Sequence, residues 1–285
     1  MNKDVPVVIA DGHVHIHDCF DLNTFFRAAR ENFSRLARQA GAGESFIGVL
    51  FLTEAHGVDY YSRFHQVAEK GYSESNSLLK NFIIRKTNER CSLRILSENE
   101  EELILIAGRQ IVSGEKLEVL ALGIPEHFGE GWPAEKIIAE VNSRERIAVI
   151  PWGMGKWLGE RGEIVKKILT ESPSGKFYLG DNGNRLALWP RPPLFTLAEE
   201  LGIRILPGSD PLPFPSECKK VGAYGFVLKD CETSDRPFEA LKQRLASSPD
   251  SIQTVGGLET PFRFFKNQVA MQFYKRKNKS ITEAK

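Results

Sequence analysis

Short apolar runs alternate with segments of helical hydrophobic period along most of the chain. Near-continuous apolar runs at residues 5–9 and 46–53 are typical of strands buried on both faces of a parallel sheet. Between them, residues 22–40 have apolar side chains at helical spacing, and Gly41 predicts the end of that helix. Further strands are predicted at residues 147–150, 177–179, 203–206 and 225–228, and further helices at 133–141, 164–169, 194–201 and 262–273. The repeated strand–helix unit predicts a parallel sheet with right-handed crossovers.

Two regions interrupt this alternation. Residues 57–88 are irregular, and we expect a loop and a helix over the mouth of a barrel. Residues 92–122 contain three short strand patterns separated by turn residues, which predicts hairpin pairing. The basic residues near the C-terminus predict a flexible tail at about 275–285. No linker or repeat divides the chain, so residues 1–285 are predicted to form a single α/β barrel domain.

Composition narrows the class of protein without identifying a partner. The chain has 285 residues, 41% of them hydrophobic and 26% charged, with a formal net charge of +1. These values fit an ordinary globular protein and give no electrostatic reason to expect a nucleic-acid partner. The four cysteines form no C-x-x-C pair, and no apolar run approaches the length of a membrane span. We therefore expect a cytoplasmic protein with reduced thiols, no signal peptide and no membrane contact.

A cluster of histidines follows the first predicted strand. The chain has six histidines, and His13, His15 and His17 fall within five residues. Alternate side chains of an extended strand share one face, so Asp11, His13, His15 and His17 would project together. Two imidazoles two residues apart can converge on one metal ion, whereas His17 would need a bend or another role. The alternative interpretation is a surface loop that happens to be rich in histidine.

Other candidate residues follow later strands. Asp210 ends the strand at 203–206 in a Gly-Ser-Asp turn, which suits either a metal ligand at a barrel rim or a helix cap. Either Glu54 or His56, after the second strand, could face the same rim, or both could belong to an ordinary loop. Asp181 follows the strand at 177–179 and is equally compatible with a turn.

A glycine-rich segment at residues 151–162 follows another strand. Glycine permits close approach of a ligand to the backbone, and the helix start that follows favours an anion. Lys156 and Arg161 could bind such an anion, although a solvated loop explains the composition as well. The segment lacks the spacing of a Walker phosphate-binding loop.

The order of these motifs resembles the PHP family, named for polymerase and histidinol phosphatase. The segment DGHVH at residues 11–15 resembles the family's opening D-x-H-x-H, and TEAH at 53–56 resembles its T-D-H segment with one residue inserted. The segment around Gln110 is similar to the G-x-E-I hairpin, IAVIPWG at 147–153 to the I-A-V-x-x-H-P strand, and GSDPL at 208–212 to G-S-D-x-H. The resemblance implies a distorted (β/α)7 TIM-like barrel with mostly parallel strands. It also implies phosphoester hydrolysis at a centre of up to three metal ions.

The departures from the family pattern fall on metal ligands. Gln110 stands at the position of a bridging glutamate, and Trp152 and Leu212 stand at histidine positions. These side chains cannot replace anionic or imidazole ligands of several close cations, so we expect one divalent ion, either zinc, manganese or iron. The matching ligand types that remain are His13, His15, His56 and Asp210.

The resemblance therefore predicts a metal-dependent hydrolase of the phosphoesterase type with a reduced metal site and a small-molecule substrate. Asp181 is the predicted proton acceptor, by position alone. Lys156 and the arginines Arg161, Arg185 and Arg191 are candidates to neutralise a phosphate-like group. The alternative is an inactive PHP-like barrel that binds a ligand or a protein partner. The roles of His17 and Glu54, the oligomeric state and the substrate stay open.

Overall fold

The computed structural model describes residues 7–42, 45–70, 79–97, 101–172, 175–233, 235–247 and 252–283. Its strands are β1 (Val7–Val14), β2 (Phe46–Leu52), β3 (Phe82–Lys86), β4 (Ser92–Ser97), β5 (Glu102–Ile106), β6 (Gly108–Val112), β7 (Glu118–Leu122), β8 (Ile147–Pro151), β9 (Tyr178–Asn182), β10 (Ile205–Gly208), β11 (Tyr224–Leu228) and β12 (Gln253–Gly256). Its helices are α1 (Leu22–Gln39), α2 (Tyr60–Lys70), α3 (Ala134–Ser143), α4 (Glu160–Glu171), α5 (Pro193–Glu200), α6 (Pro237–Ser247) and α7 (Pro261–Glu283), with a 3-10 segment at Pro215–Lys220.

The strands form two mixed sheets. A seven-stranded sheet has the order β12-β11-β1-β2-β5-β4-β3, and a five-stranded sheet has the order β10-β9-β8-β7-β6. Among the strands named above, β1 pairs in parallel with β2, β2 with β5, β8 with β9 and β9 with β10. The other six pairings among the described strands are antiparallel. Strand β10, at one edge of the five-stranded sheet, lies against β1 and β11, two neighbouring strands inside the seven-stranded sheet.

The predicted distorted (β/α)7 barrel with mostly parallel strands is therefore wrong, because the two sheets do not close into a barrel. A short buried apolar run has the same appearance in parallel and antiparallel strands, so the pattern did not fix strand direction. The hairpins of the central region, which the turn residues did predict, add antiparallel strands to both sheets. In addition, β11 runs antiparallel to β1, although it had been assigned to the parallel alternation.

Strand β1 and helix α1 show why the candidate site begins where it does. The strand continues through Val14, beyond the predicted end at residue 9, so Asp11 and His13 lie on the strand itself. A register shift against β2 occurs between Asp11 and Val14. The side chain of Asp21 accepts a hydrogen bond from the backbone N–H of Thr24 and caps α1. The helix covers residues 22–39, one residue shorter than predicted.

Two hydrophobic clusters fix the positions of the sheets. The larger cluster packs α1 and α6 against the seven-stranded sheet, with Phe33, Phe226 and Phe238 fully buried. The smaller cluster packs α3, α4 and α5 against the five-stranded sheet through Ile137 and Phe195. Because both sheets are buried by helices, the strand ends that hold polar side chains are supported by rigid elements.

The described residues also bear on the remaining sequence predictions. None of their helices combines the length and apolar character that crossing a bilayer requires. All four cysteines are free thiols. The irregular region at 57–88 contains α2 and β3, and its residues 71–78 lie outside the described residues. The backbone of α7 is helical to Glu283, and residues 284 and 285 of the predicted tail lie outside the described residues.

Candidate metal centre

Two imidazoles and one carboxylate converge at the C-terminal ends of β1 and β10. The Nε2 atoms of His13 and His15 lie 3.0 Å apart. The Oδ1 atom of Asp210 lies 3.7 Å from Nε2 of His13 and 3.5 Å from Nε2 of His15. Within the described ranges, this is the one group of three such side chains whose ligand atoms all lie within 4.8 Å of one another. The structure thus brings together three of the four predicted metal ligands.

The three donor atoms match the requirements of a single divalent ion. A triangle with sides of 3.0, 3.5 and 3.7 Å has a centre about 2.0 Å from each corner, which is the usual length of a zinc–nitrogen or zinc–oxygen bond. Two imidazoles with one carboxylate are also a common ligand set for other divalent first-row metals. The residues present therefore fit one ion, whose identity this donor set leaves open.

The protonation states of two of these groups suit a metal site. Burial lowers the pKa of His15 to about 3, and the adjacent His13 adds to that effect. For Asp210, burial opposes ionisation, but His13, His15 and nearby lysines hold the pKa of the carboxyl well below its usual range. A neutral imidazole and an ionised carboxylate are the forms that coordinate metals, so neither group needs to lose a proton at neutral pH.

Asp210 is held in an unusual conformation by two asparagines that the sequence prediction missed. Its backbone has a φ of +46°, in the left-handed region that non-glycine residues rarely adopt. The side-chain amides of Asn182 and Asn184 both donate hydrogen bonds to Oδ2 of Asp210. Asn184 also donates to the backbone carbonyl of Asp210, at 2.7 Å. These contacts leave Oδ1 directed toward the histidines.

A signal for Asn182 was present in the sequence. Strand β9 extends to Asn182 rather than ending at residue 179. Alternate side chains of a strand point to opposite faces, so Asn182 shares a face with Gly180 and Asp181 shares the other face with Leu179. If the strand is continued by three residues beyond 179, its alternation predicts that Asp181 and Asn182 face opposite sides of the sheet.

Asp11 organises the metal centre without belonging to the ligand group. Its buried carboxylate accepts hydrogen bonds from the backbone N–H groups of His13, Ser209 and Gly222, and from the hydroxyl of Ser209. Burial raises the pKa of Asp11 to about 6 in spite of these four donors. The carboxylate thereby ties β1 to the loop that contains Asp210.

The second strand contributes less to this cluster than the sequence predicted. His56 is exposed, and its ring lies 5.8 Å from that of His127, centroid to centroid, apart from the three clustered ligand atoms. Glu54 is buried instead, where it accepts the backbone N–H groups of Tyr60 and Tyr61 and lies 3.1 Å from Arg109. Burial raises the pKa of Glu54 to about 7.

The predicted proton acceptor faces away from the centre. Both carboxylate oxygens of Asp181 accept hydrogen bonds from Arg185, at 2.9 and 2.8 Å, and the hydroxyl of Tyr224 donates to the same carboxylate. Arg191 forms a two-bond ion pair with Glu199. These residues line a separate cavity on the other face of β9, so neither arginine faces the ligand cluster.

The remaining basic candidates divide between the centre and the surface. Lys156 lines the cavity beside Asp210 and forms an ion pair with Glu118. Arg161 donates to the backbone carbonyl of Gly155 at 2.7 Å and does not line that cavity. His17 contacts the backbone carbonyl of Pro211 at 3.0 Å, which fixes the chain just after the ligand pair.

The residues that depart from the PHP pattern lie around the cluster. The side-chain oxygen of Gln110 is 3.3 Å from Nε2 of His13. Trp152 and Leu212 line a cavity of about 160 Å³ that opens beside Asp210. An amide, an indole and an aliphatic chain thus occupy the surroundings in which additional ligands would be needed for further ions.

Comparison with known proteins gives no family assignment. No protein-family model matches the chain, and no curated protein matches it. Among solved structures, PsfC from Pseudomonas syringae PB-5123 is similar at 16% identity, with a TM-score of 0.49 over 95% of this chain and 99% of that protein. The lesion-specific endonuclease PfuEndoQ from Pyrococcus furiosus is similar at 12% identity, with a TM-score of 0.48 over 89% of this chain and 59% of that protein.

Proposed function

We propose that this protein is a metal-dependent hydrolase that uses one divalent ion held by His13, His15 and Asp210. The observation that supports it is the convergence of these three donor atoms on a common centre at the ends of β1 and β10. The proposal therefore rests on this chain's own side chains. Three protein ligands with open positions are the usual arrangement of a catalytic rather than a structural zinc site.

The metal and the protein have separate tasks in this proposal. A bound divalent ion would lower the pKa of a water molecule and polarise the scissile bond. Asn182 and Asn184 keep the Asp210 carboxylate turned toward the histidines. Asp11 holds the loop that bears Asp210 against β1. Trp152 and Leu212 restrict the water-accessible space beside the ligands.

The reaction we propose is hydrolysis of a phosphate ester of a small molecule. The resemblance of the motifs around His13, Thr53 and Asp210 to the PHP pattern supports this reaction class. The oxygen of water forms a bond to phosphorus, the ester oxygen–phosphorus bond breaks, and the proton released from water ends on the departing alcohol. Lys156 is the basic side chain nearest this chemistry among the predicted ones, since it lines the cavity with Asp210.

One ion per chain follows from the side chains around the cluster. Gln110 offers a neutral oxygen near His13, while Trp152 and Leu212 offer no ligand atom suited to a hard divalent cation. Zinc, manganese and iron are the candidates, and zinc suits the mixed nitrogen and oxygen donors with a separation of about 2.0 Å from their centre.

A second function is favoured by one observation. The carboxylate predicted to accept the proton, Asp181, is fully engaged by Arg185 and Tyr224 on the far face of β9. A protein without a proton acceptor beside its metal could keep the ion as part of a ligand-binding site. This second candidate is a metal-containing binding protein without turnover.

Parallel measurement of metal content and turnover tests the proposal. The purified protein is loaded with zinc, manganese or iron(II), and each form is screened against phosphomonoesters, phosphodiesters and lactones. The hydrolase proposal predicts turnover that depends on metal and is lost in His13→Ala. Stable metal binding without turnover on any class would favour the binding protein, and absence of metal binding would reject both.

A further inference from the structure

The cavity beside Asp210 is closed on one side by the N-terminal half of α7. Phe264 and Asn267 of this helix are buried, with 2% and 8% of their surfaces exposed. Both line the cavity together with Gln268, and Trp152 and Leu212 line the same cavity. Helix α7 therefore supplies a wall that mixes an aromatic ring with side-chain amides.

Asn267 is the unusual member of this wall. Its amide nitrogen, Nδ2, is buried and has no hydrogen-bond partner among the described residues. Burying an amide without a partner is unfavourable, and asparagine is also a poor residue for a helix interior. A hydrophobic side chain at this position would avoid both costs. An unpaired donor that lines a cavity is available to an acceptor atom of a bound molecule.

The charges around the cavity limit what that molecule can be. Lys156 is paired with Glu118, and Lys220 is paired with Glu259 at 2.8 Å and also contacts Asn184. Each basic group of the cavity surroundings thus has an acidic partner. The walls between these pairs are the apolar surfaces of Trp152, Leu212 and Phe264. Beyond a phosphate at the metal, a second anionic group would find no unpaired cation among the described residues that surround this cavity, whereas an uncharged ring would contact apolar atoms.

The volume sets the size of that group. The cavity of about 160 Å³ is comparable with an apolar protein cavity of roughly 150 Å³ that binds benzene. It therefore holds about one six-membered ring. A larger polycyclic or oligomeric group would have to extend out of the opening.

We propose that this cavity binds an uncharged, single-ring portion of the ligand, and that Nδ2 of Asn267 donates a hydrogen bond to an acceptor atom on that ring. This inference rests on the proposed function, in which the ring is the leaving portion of the ester next to the metal. Asn267 is then a specificity-determining residue, and Trp152 and Leu212 are its apolar complement.

Binding of three ring probes to Asn267→Leu, to Gln272→Leu and to the parent protein tests this inference. Leucine has nearly the shape of asparagine without its donor, and Gln272 is an exposed residue of the same helix. The probes are N-methyl-2-pyridone, which has a carbonyl acceptor, toluene, which has none, and benzoate, which is anionic. Ligand-observed NMR titrations are run on metal-free and zinc-loaded protein, so the result does not depend on turnover.

We expect N-methyl-2-pyridone to bind the parent and Gln272→Leu equally, and Asn267→Leu about tenfold more weakly. Toluene should bind Asn267→Leu at least as well as the parent. Equal binding of the pyridone to all three proteins, absence of binding by every ring, or tighter binding of benzoate than of the pyridone to the metal-free protein would each overturn the inference.

The thermal stability of the ligand-free variants gives an independent check. Since Asn267→Leu removes an unpaired buried amide, we expect its Tm to rise by about 2 °C or more, and that of Gln272→Leu to stay unchanged. A lower Tm for Asn267→Leu would show that the amide has a partner in the free protein, and would overturn the inference. Probe binding without any turnover would reject the hydrolase and leave the ring site standing. Turnover without probe binding would reject the ring site and leave the hydrolase standing.

Discussion

Gly208 lies so close to His13 that a Cβ atom on Gly208 would overlap the backbone nitrogen and the Cβ of His13. This approach brings the end of β10 against β1 and allows Asp210 to reach the histidine pair. The backbone N–H of Asp210 donates to the carbonyl of His13 at 2.8 Å, which fixes the same arrangement. The convergence of His13, His15 and Asp210 therefore depends on the absence of a side chain two residues before Asp210.

Gly208→Ala should separate the two strand ends. We expect a loss of roughly 2–4 kcal/mol in the free energy of unfolding, because backbone atoms rather than a flexible side chain meet the added methyl group. Zinc affinity should fall by at least tenfold. Gly257→Ala is the matched control, since an added Cβ there meets nothing within 4 Å. Chemical denaturation and zinc titration measure both effects, and similar results for the two variants would contradict this account.

Asp11→Asn tests the buried carboxylate that joins β1 to the backbone at Ser209 and Gly222. An asparagine cannot accept all four hydrogen bonds, and its NH2 group would face at least one donor. We expect the free energy of unfolding to fall by about 2–4 kcal/mol. Asp21→Asn should cost little, because asparagine caps helices as well as aspartate does. A stable Asp11→Asn protein with unchanged metal affinity would disprove the anchoring role.

Asp181→Asn tests whether Asp181 accepts the proton, as the sequence predicted, or only binds Arg185 and Tyr224, as the structure shows. Asp181 binds Arg185 and Tyr224 and faces away from the ligand cluster. We expect Asp181→Asn to lose about 2–4 kcal/mol of stability through the broken buried ion pair, and to keep its metal content. At a temperature where it remains folded, its metal-dependent turnover should fall less than tenfold. A loss of a thousandfold or more in a folded, metal-loaded variant would restore Asp181 as the catalytic base.

The pH dependence of stability should reveal Glu54. The pKa of this buried group is about 7 in the folded protein, above its ordinary value of 4.5. The folded state therefore binds this proton more tightly than the unfolded state does. The stabilisation from the bound proton is present at low pH and is lost as the pH rises through 7. Between pH 5 and 8 the parent should lose roughly 1–3 kcal/mol relative to Glu54→Gln.

Thermal melts of the two proteins across this pH range measure the difference. Glu31→Gln, at an exposed glutamate of α1, is the control and should parallel the parent at every pH. A constant or growing advantage of the parent over Glu54→Gln as the pH rises would contradict the assignment.

The chemistry of the site was more predictable than the architecture around it. The spacing of His13 and His15 places them on one side of a strand, and a Gly-Ser-Asp turn after a strand predicted Asp210, so local patterns were sufficient to select the three side chains that the structure brings together. Strand direction depends on which distant segments pair. The antiparallel pairing of β1 with β11 has no local signal, and for that reason the barrel prediction was wrong.

The side chains around His13, His15 and Asp210 show the same contrast between local patterns and long-range contacts. Asp181 and Asn182 are adjacent and polar, and only the true length of β9 decides which one faces Asp210. His56 was predicted from a motif with one residue inserted. The strand end instead brings Glu54 against Arg109 and leaves the histidine exposed. The exposure of His56 depends on tertiary contacts that a single sequence does not specify.

Elemental analysis of zinc-loaded protein after gel filtration tests the central claim most directly. The parent and His56→Ala should each retain about one ion per chain, because His56 lies outside the cluster, whereas His13→Ala and Asp210→Ala should retain less than about a tenth. Circular dichroism should show that all four proteins stay folded, since the large hydrophobic core does not require a metal. Two or three tightly bound ions in the parent, or equal retention by His13→Ala, would contradict a single-ion centre at His13, His15 and Asp210.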